Sequence, residues 1–138
     1  MMLPEFDPPA ADFARPFWDG INARQLRLPR CSICGRWQWY PEPSGTDCSG
    51  GQLIWHPVAH SGTLYSFSTV HRSFLPGGRD RVPYTVGMID LDGVDGPRLV
   101  ANLDDGHHWT VGDRVIAEFV PLGDRLHPMF RHEDGGTR

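Results

Sequence analysis

The chain has 138 residues, room for one domain or a domain with a small appendage, and its 13 Pro and 16 Gly lean towards a turn-rich β protein. All 13 basic residues are Arg, which excludes a P-loop lysine, a Schiff-base lysine and a lysine general base. A net charge of −4 and a pI near 5.9 argue against binding a polyanion through bulk electrostatics, although Arg still suits bidentate contact with a small phosphate or carboxylate.

Met1 to Ala10 carries three Pro and reads as an extended arm. A helical pattern follows from Asp12, its expected N-cap: Phe13, Phe17 and Ile21 recur every four residues and Trp18 widens the apolar face. Pro16 either kinks the start or marks the true first turn. Gly20 costs this helix about 1 kcal/mol relative to Ala, so it needs a surface, on its own domain or on a partner. Leu26 and Leu28 alternate with Arg27 and lead in extended form to Cys31.

Cys31-Ser32-Ile33-Cys34-Gly35, with Cys48 further on, has the spacing of half a zinc ribbon. The Gly permits the tight turn that aims two thiolates at one point. Three converging thiolates favour a soft tetrahedral metal, expected to be structural zinc, with water, Asp47 or His56 as fourth ligand. The alternative is three thiols on a metal-free loop. A disulfide framework is not expected, because three is an odd count and no secretory signal is seen. Trp37, Trp39 and Tyr40 follow in quick succession and must serve as the ribbon's core or as a contact surface.

Leu53 and Trp55 resume strand alternation, and after Ser61-Gly62 the rhythm is that of an antiparallel barrel. Strands are expected over Thr63–His71, Tyr84–Leu91, Pro97–Leu103, Arg114–Val120 and Leu126–Phe130, the last an edge because of Pro128. Tyr65, Phe67, Val86 and Phe119 are expected to fill the barrel. Ser73–Val82 reads as a long exposed loop, and the tail from His132 as frayed. The fold class is therefore mostly β: an N-terminal helix, a small zinc ribbon and a five-stranded barrel, of which the OB-fold is the commonest of that size. The expected segments are 1–27 (arm and helix), 28–56 (ribbon), 57–131 (barrel) and 132–138 (tail).

No G-x-S-x-G, H-E-x-x-H or G-x-G-x-x-G occurs, and no nucleophile stands beside a base. His107-His108 reads as a solvated turn. No apolar run would span a bilayer, so a cytoplasmic location is expected.

The run Phe17-Trp18, Leu28-x-x-Cys31-x-x-Cys34-Gly35, Tyr40-Pro41, Cys48 ahead of Trp55, Ser61-Gly62-x-Leu64-x-Ser66-Phe67-Ser68, Pro83-Tyr84-x-Val86, Gly96-Pro97-Arg98, Ala101-Asn102-Leu103, Val111-Gly112-Asp113-x-Val115 and Pro128-x-Phe130 resembles a known family. It pairs a rubredoxin-like zinc ribbon with an acyl-CoA-associated OB-fold (domain of unknown function thirty-five). The family pattern has four Cys, and Gly45 stands where one of them would be. The resemblance implies a non-catalytic accessory subunit of a thiolase-superfamily protein, a lipid-transfer-type thiolase or an aldolase. It would act on acyl-CoA thioesters in steroid side-chain or fatty-acyl degradation, as a heterotetramer with acyl-CoA near the interface and catalysis on the partner chain. Phe13, Phe17, Trp18, Ile21, Trp37, Trp39 and Tyr40 offer the expected docking surface, and Arg72, Arg79 and Arg81 the contacts to CoA phosphates. The rival is a free-standing module binding single-stranded nucleic acid, weakened by the acidic balance and the missing Lys.

Overall fold

A computed structural model describes residues 14–41, 48–72, 83–105, 107–122 and 125–133. Pro16 lies in the first turn of helix α1 (Arg15–Asn22), where its missing N–H costs nothing. No side chain caps that end, and the expected cap Asp12, like Phe13, lies outside the described residues. The reason for Gly20 is steric. A Cβ there would lie 2.7 Å from the Gln25 carbonyl oxygen and 3.0 Å from the Arg27 side chain, so Gly lets the chain fold back across the helix.

Strand β1 (Arg27–Cys31) pairs antiparallel with β2 (Leu53–Pro57), Arg27 opposite Pro57 and Cys31 opposite Leu53. Then β3 (Ser61–Val70), β4 (Tyr84–Leu91), β5 (Leu99–Leu103), β6 (Arg114–Leu122) and β7 (Arg125–His132) close a barrel in the order β3-β4-β5-β7-β6. β6 returns to β3 through Val115 opposite Gly62, and β5 meets β7 in parallel. This is the five-stranded Greek-key order of an OB-fold.

Four expectations need correction. β7 is no edge: it lies between β6 and β5, and its parallel contact with β5 begins only at Met129, just past the N–H that Pro128 lacks. The barrel interior is not lined by Tyr65 and Phe67, which are 48% and 40% exposed; Leu64, fully buried, takes that place. Gly62 and Leu64 already take the inner face ahead of a bulge between Leu64 and Ser66, and Tyr65, the extra residue, turns outward beneath the Arg98 guanidinium. Val86 and Phe119 are only half-buried. Finally, His132 is no tail residue but the fully buried end of β7.

One apolar core runs through the whole molecule. Phe17 and Ile21 of α1 and Leu28 of β1 share it with Leu64, Ile89 and Phe130 of the barrel. Burying each such side chain stabilises by about 1.5–3 kcal/mol, so the helix that is weak by propensity is held by the chain's own barrel.

Candidate metal centre and docking surface

The last residue of β1 carries the first thiol. Beyond Cys31 the chain turns: the Gly35 N–H donates to the Cys31 carbonyl at 3.0 Å, with Gly35 at φ 74°, in the left-handed region that a side chain disfavours. The Ile33 N–H points back at Cys31 Sγ (3.4 Å). The β1–β2 pairing places the loop around Cys48 against this knuckle. Ser32 N–H reaches the Gln52 carbonyl at 2.9 Å, and Gln52 N–H reaches Ser32 Oγ at 3.0 Å. A second turn follows Cys48, closed by Gly51 N–H on the Cys48 carbonyl (2.8 Å) with Gly50 at φ 77°.

The Sγ atoms of Cys31, Cys34 and Cys48 consequently all lie within 4.8 Å of one another. Three sulfurs at Zn–S distances of about 2.3 Å stand about 3.8 Å apart around a tetrahedral ion, so the cluster fits a metal with small adjustment. Cys31 is buried, Cys48 half-buried and Cys34 exposed. Crowding pushes the Cys48 thiol up to about 11, first through hydrogen bonding with Cys34, then with Cys31, then through burial. A cation at the centre would reverse that order of preference and release the protons. Among the described residues, no His, Asp or Glu joins the cluster. His56, one expected fourth ligand, instead packs edge-on against Trp37, ring centroids 6.1 Å apart; Asp47 and Gly45 lie outside the described residues.

Aromatic side chains connect helix and ribbon. Trp39 lies 4.8 Å from Phe17, Phe17 lies 5.1 Å from Trp18, and Trp18 contacts His127 at 5.3 Å. Arg125 stands over Trp18, and Arg30 over Trp37 at 4.5 Å. Phe17 and Ile21 must leave the expected docking set, because they are 3% and 0% exposed in the chain's own core. Trp18, Trp37 and Trp39 keep a half-buried flank, and Tyr40 is 51% exposed. Arg72, just past β3, is exposed; Arg79 and Arg81 lie outside the described residues.

A buried polar cluster escaped the sequence reading. His132 Nε2 meets Asp113 Oδ2 at 3.0 Å, and the same oxygen accepts from Thr110 N–H at 2.9 Å. Trp109 stacks on the His132 ring at 4.0 Å, and His107, paired with Asp104 at 3.0 Å, stands edge-on to both rings, 5.8 Å from His132 and 6.3 Å from Trp109. His107 is therefore not in a purely solvated turn, though His108 is exposed. The signal available was the β-rich run up to His132, which contains no breaker after Pro128. No helix among the described residues is long and apolar enough to cross a membrane.

Comparison with known proteins covers both parts. Residues 55–120 match the family model of the ChsH2 C-terminal OB-fold domain. The chain is 26% identical over 110 residues to the 3-oxo-4,17-pregnadiene-20-carboxyl-CoA hydratase alpha subunit of Mycobacterium tuberculosis (strain ATCC 25618 / H37Rv), covering 78% of this chain and 34% of that protein. It thus spans about a third of the length of that curated relative. Among solved structures, a chain of the Ltp2-ChsH2(DUF35) aldolase superposes with a TM-score of 0.73 at 23% identity, covering 92% of this chain and 97% of that one. A protein of unknown function from the DUF35 family of Sulfolobus solfataricus superposes with a TM-score of 0.53 at 17% identity, covering 91% and 88%.

Proposed function

We propose that this chain, whose residues 55–120 match the model of the ChsH2 C-terminal OB-fold domain, is an accessory subunit of a thiolase-superfamily complex acting on acyl-CoA thioesters. The observation that carries the proposal is the end-to-end superposition on a chain of the Ltp2-ChsH2(DUF35) aldolase, helix and ribbon included, with almost nothing left over in either chain. The relative named as a hydratase alpha subunit points to the same acyl-CoA chemistry.

In this reading Trp18, Trp37, Trp39 and Tyr40 dock on the partner, since half-buried aromatics bury large area at little entropic cost. Arg72, with Arg79 and Arg81, faces the phosphates of the CoA. Zinc at Cys31, Cys34 and Cys48 fixes the ribbon that carries the aromatics, in the cytoplasm where thiols stay reduced. The assembly is a heterotetramer, and the partner supplies the catalytic groups.

Affinity purification of the full chain from its native cells tests this. A thiolase or aldolase should co-purify, and the pair, but not the chain alone, should turn over an acyl-CoA. Tight binding of single-stranded DNA or RNA with no such companion would overturn the reading in favour of a nucleic-acid module.

A further inference from the structure

The three sulfurs sit together, but their surroundings differ. Cys31 is buried at the end of β1, where it pairs with Leu53; its Sγ faces the Ile33 N–H at 3.4 Å and its own N–H donates to the Arg36 carbonyl at 2.9 Å. Cys34 is exposed, and Cys48 is half-buried at the head of the second turn. All three Sγ atoms lie within 4.8 Å of one another, and Cys48 hydrogen-bonds first with Cys34 and only then with Cys31. An accessible sulfur beside a second, less accessible one is the arrangement by which a peroxide is taken up and resolved.

We propose that Cys34 and Cys48 form a peroxide-sensitive pair that closes into a disulfide, and that a metal held by the three sulfurs leaves as the bond forms. First the Cys34 sulfur attacks a hydroperoxide, takes one oxygen as a sulfenic acid and releases water or an alcohol. The Cys48 sulfur then displaces that hydroxyl, which leaves as water, and the sulfur–sulfur bond forms. Two electrons pass from the two thiols to one peroxide, and an external dithiol restores both. Cys31 is the poorer partner, because burial and the β1–β2 pairing hold it in place. It is then the one sulfur donor left, too few to keep a tetrahedral ion. The new bond ties the two turns that the metal tied. Ser32 and Gln52, joined across those turns at 2.9 and 3.0 Å, keep them aligned for the exchange.

The full chain, loaded with zinc and treated with hydrogen peroxide, tests this. Thiols titrated after denaturation should fall from three to one while a chelating dye reports the freed zinc, and dithiothreitol should restore all three. Trypsin cuts after Arg30, Arg36 and Arg72, so a bond to Cys48 joins peptides 31–36 and 37–72. Fragmentation of the joined pair should place the bond at Cys34. Cys34→Ser should lose the link, and Cys31→Ser should keep it; should Cys31→Ser not fold, fragmentation of the unaltered chain still decides. The proposal fails if peptide 31–36 is closed on itself, if the link survives in Cys34→Ser, or if separate chains become joined instead. It fails equally if Cys34 is carried to a sulfinic acid with no link, if three thiols survive the peroxide, or if no zinc is released as the link forms.

Discussion

Replacing Asp113 by Ala removes one carboxylate oxygen that serves two donors at once, Thr110 N–H at 2.9 Å and His132 Nε2 at 3.0 Å. The Thr110 amide is only partly buried and can recover water, so its loss costs about 1 kcal/mol. His132 is fully buried under Trp109 and has no route to solvent, so stranding its ring nitrogen costs about 2 kcal/mol more. The sum, about 3 kcal/mol, corresponds to a fall in Tm of roughly 10 °C for a chain of this size. Urea unfolding followed by tryptophan fluorescence measures it, and His132→Phe separates the two parts. Phe keeps the stack on Trp109 and removes the stranded donor, so Asp113→Ala made in that background should cost only about 1 kcal/mol. Equal costs of Asp113→Ala in both backgrounds would refute the reasoning, because the two side chains would then not be coupled.

The Asp92 carboxyl is held down at about 2, below its ordinary 3.8, first by hydrogen bonding to Arg114 and then to Ser61. A folded-state value below the unfolded one adds stability at neutral pH and forfeits it as pH falls from about 4 to about 2; acid titrations should show this loss shrinking in Arg114→Gln. Gly20→Ala gains helix propensity of about 1 kcal/mol yet should still lower the urea midpoint, since the new methyl meets the backbone oxygen of Gln25 at 2.7 Å. Trp39→Ala should weaken the complex with the partner by about 2 kcal/mol in titration calorimetry while circular dichroism reports an intact barrel; unchanged affinity would move the docking surface elsewhere.

What the sequence disclosed depended on how local the cause was. The helix, the knuckle and β4 (Tyr84–Leu91) were legible because each rests on spacing within a few residues. The face of β3 was not, because Tyr65–Phe67 and Leu64–Ser66 alternate equally well, and nothing local says which set meets the core or marks the bulge at Tyr65. The destination of Phe17 and Ile21 was equally hidden. Their pattern states that a face must be buried but not whether the chain's own Leu28 and Phe130 or another protein will cover it. His132 looked like tail because polar residues follow it, while its partners Asp113 and Trp109 lie far back in the chain.

The way the barrel closes also says where it should open. β6 and β7 are zipped along their whole length from Val115–His132 to Leu122–Arg125, and β3 and β4 from Gly62–Leu91 to Val70–Tyr84. β5 extends the β3–β4 hairpin, Thr85 to Ile89 lying opposite Leu103 to Leu99, and the two joints between that three-stranded sheet and the β6–β7 hairpin are short: Asn102 and Leu103 against Met129 and Phe130 on one side, Ser61 to Thr63 against Arg114 to Ile116 on the other. Arg114 rivets the second joint, reaching Thr63 Oγ1 at 3.1 Å, Asp92 at 2.6 Å and Glu133 at 3.1 Å. The β5–β7 joint is the shorter, two residue pairs against three, so its amide hydrogens should exchange ahead of those inside either unit, and the protein should breathe there, the β3-β4-β5 sheet parting from β6–β7 like covers on a single hinge.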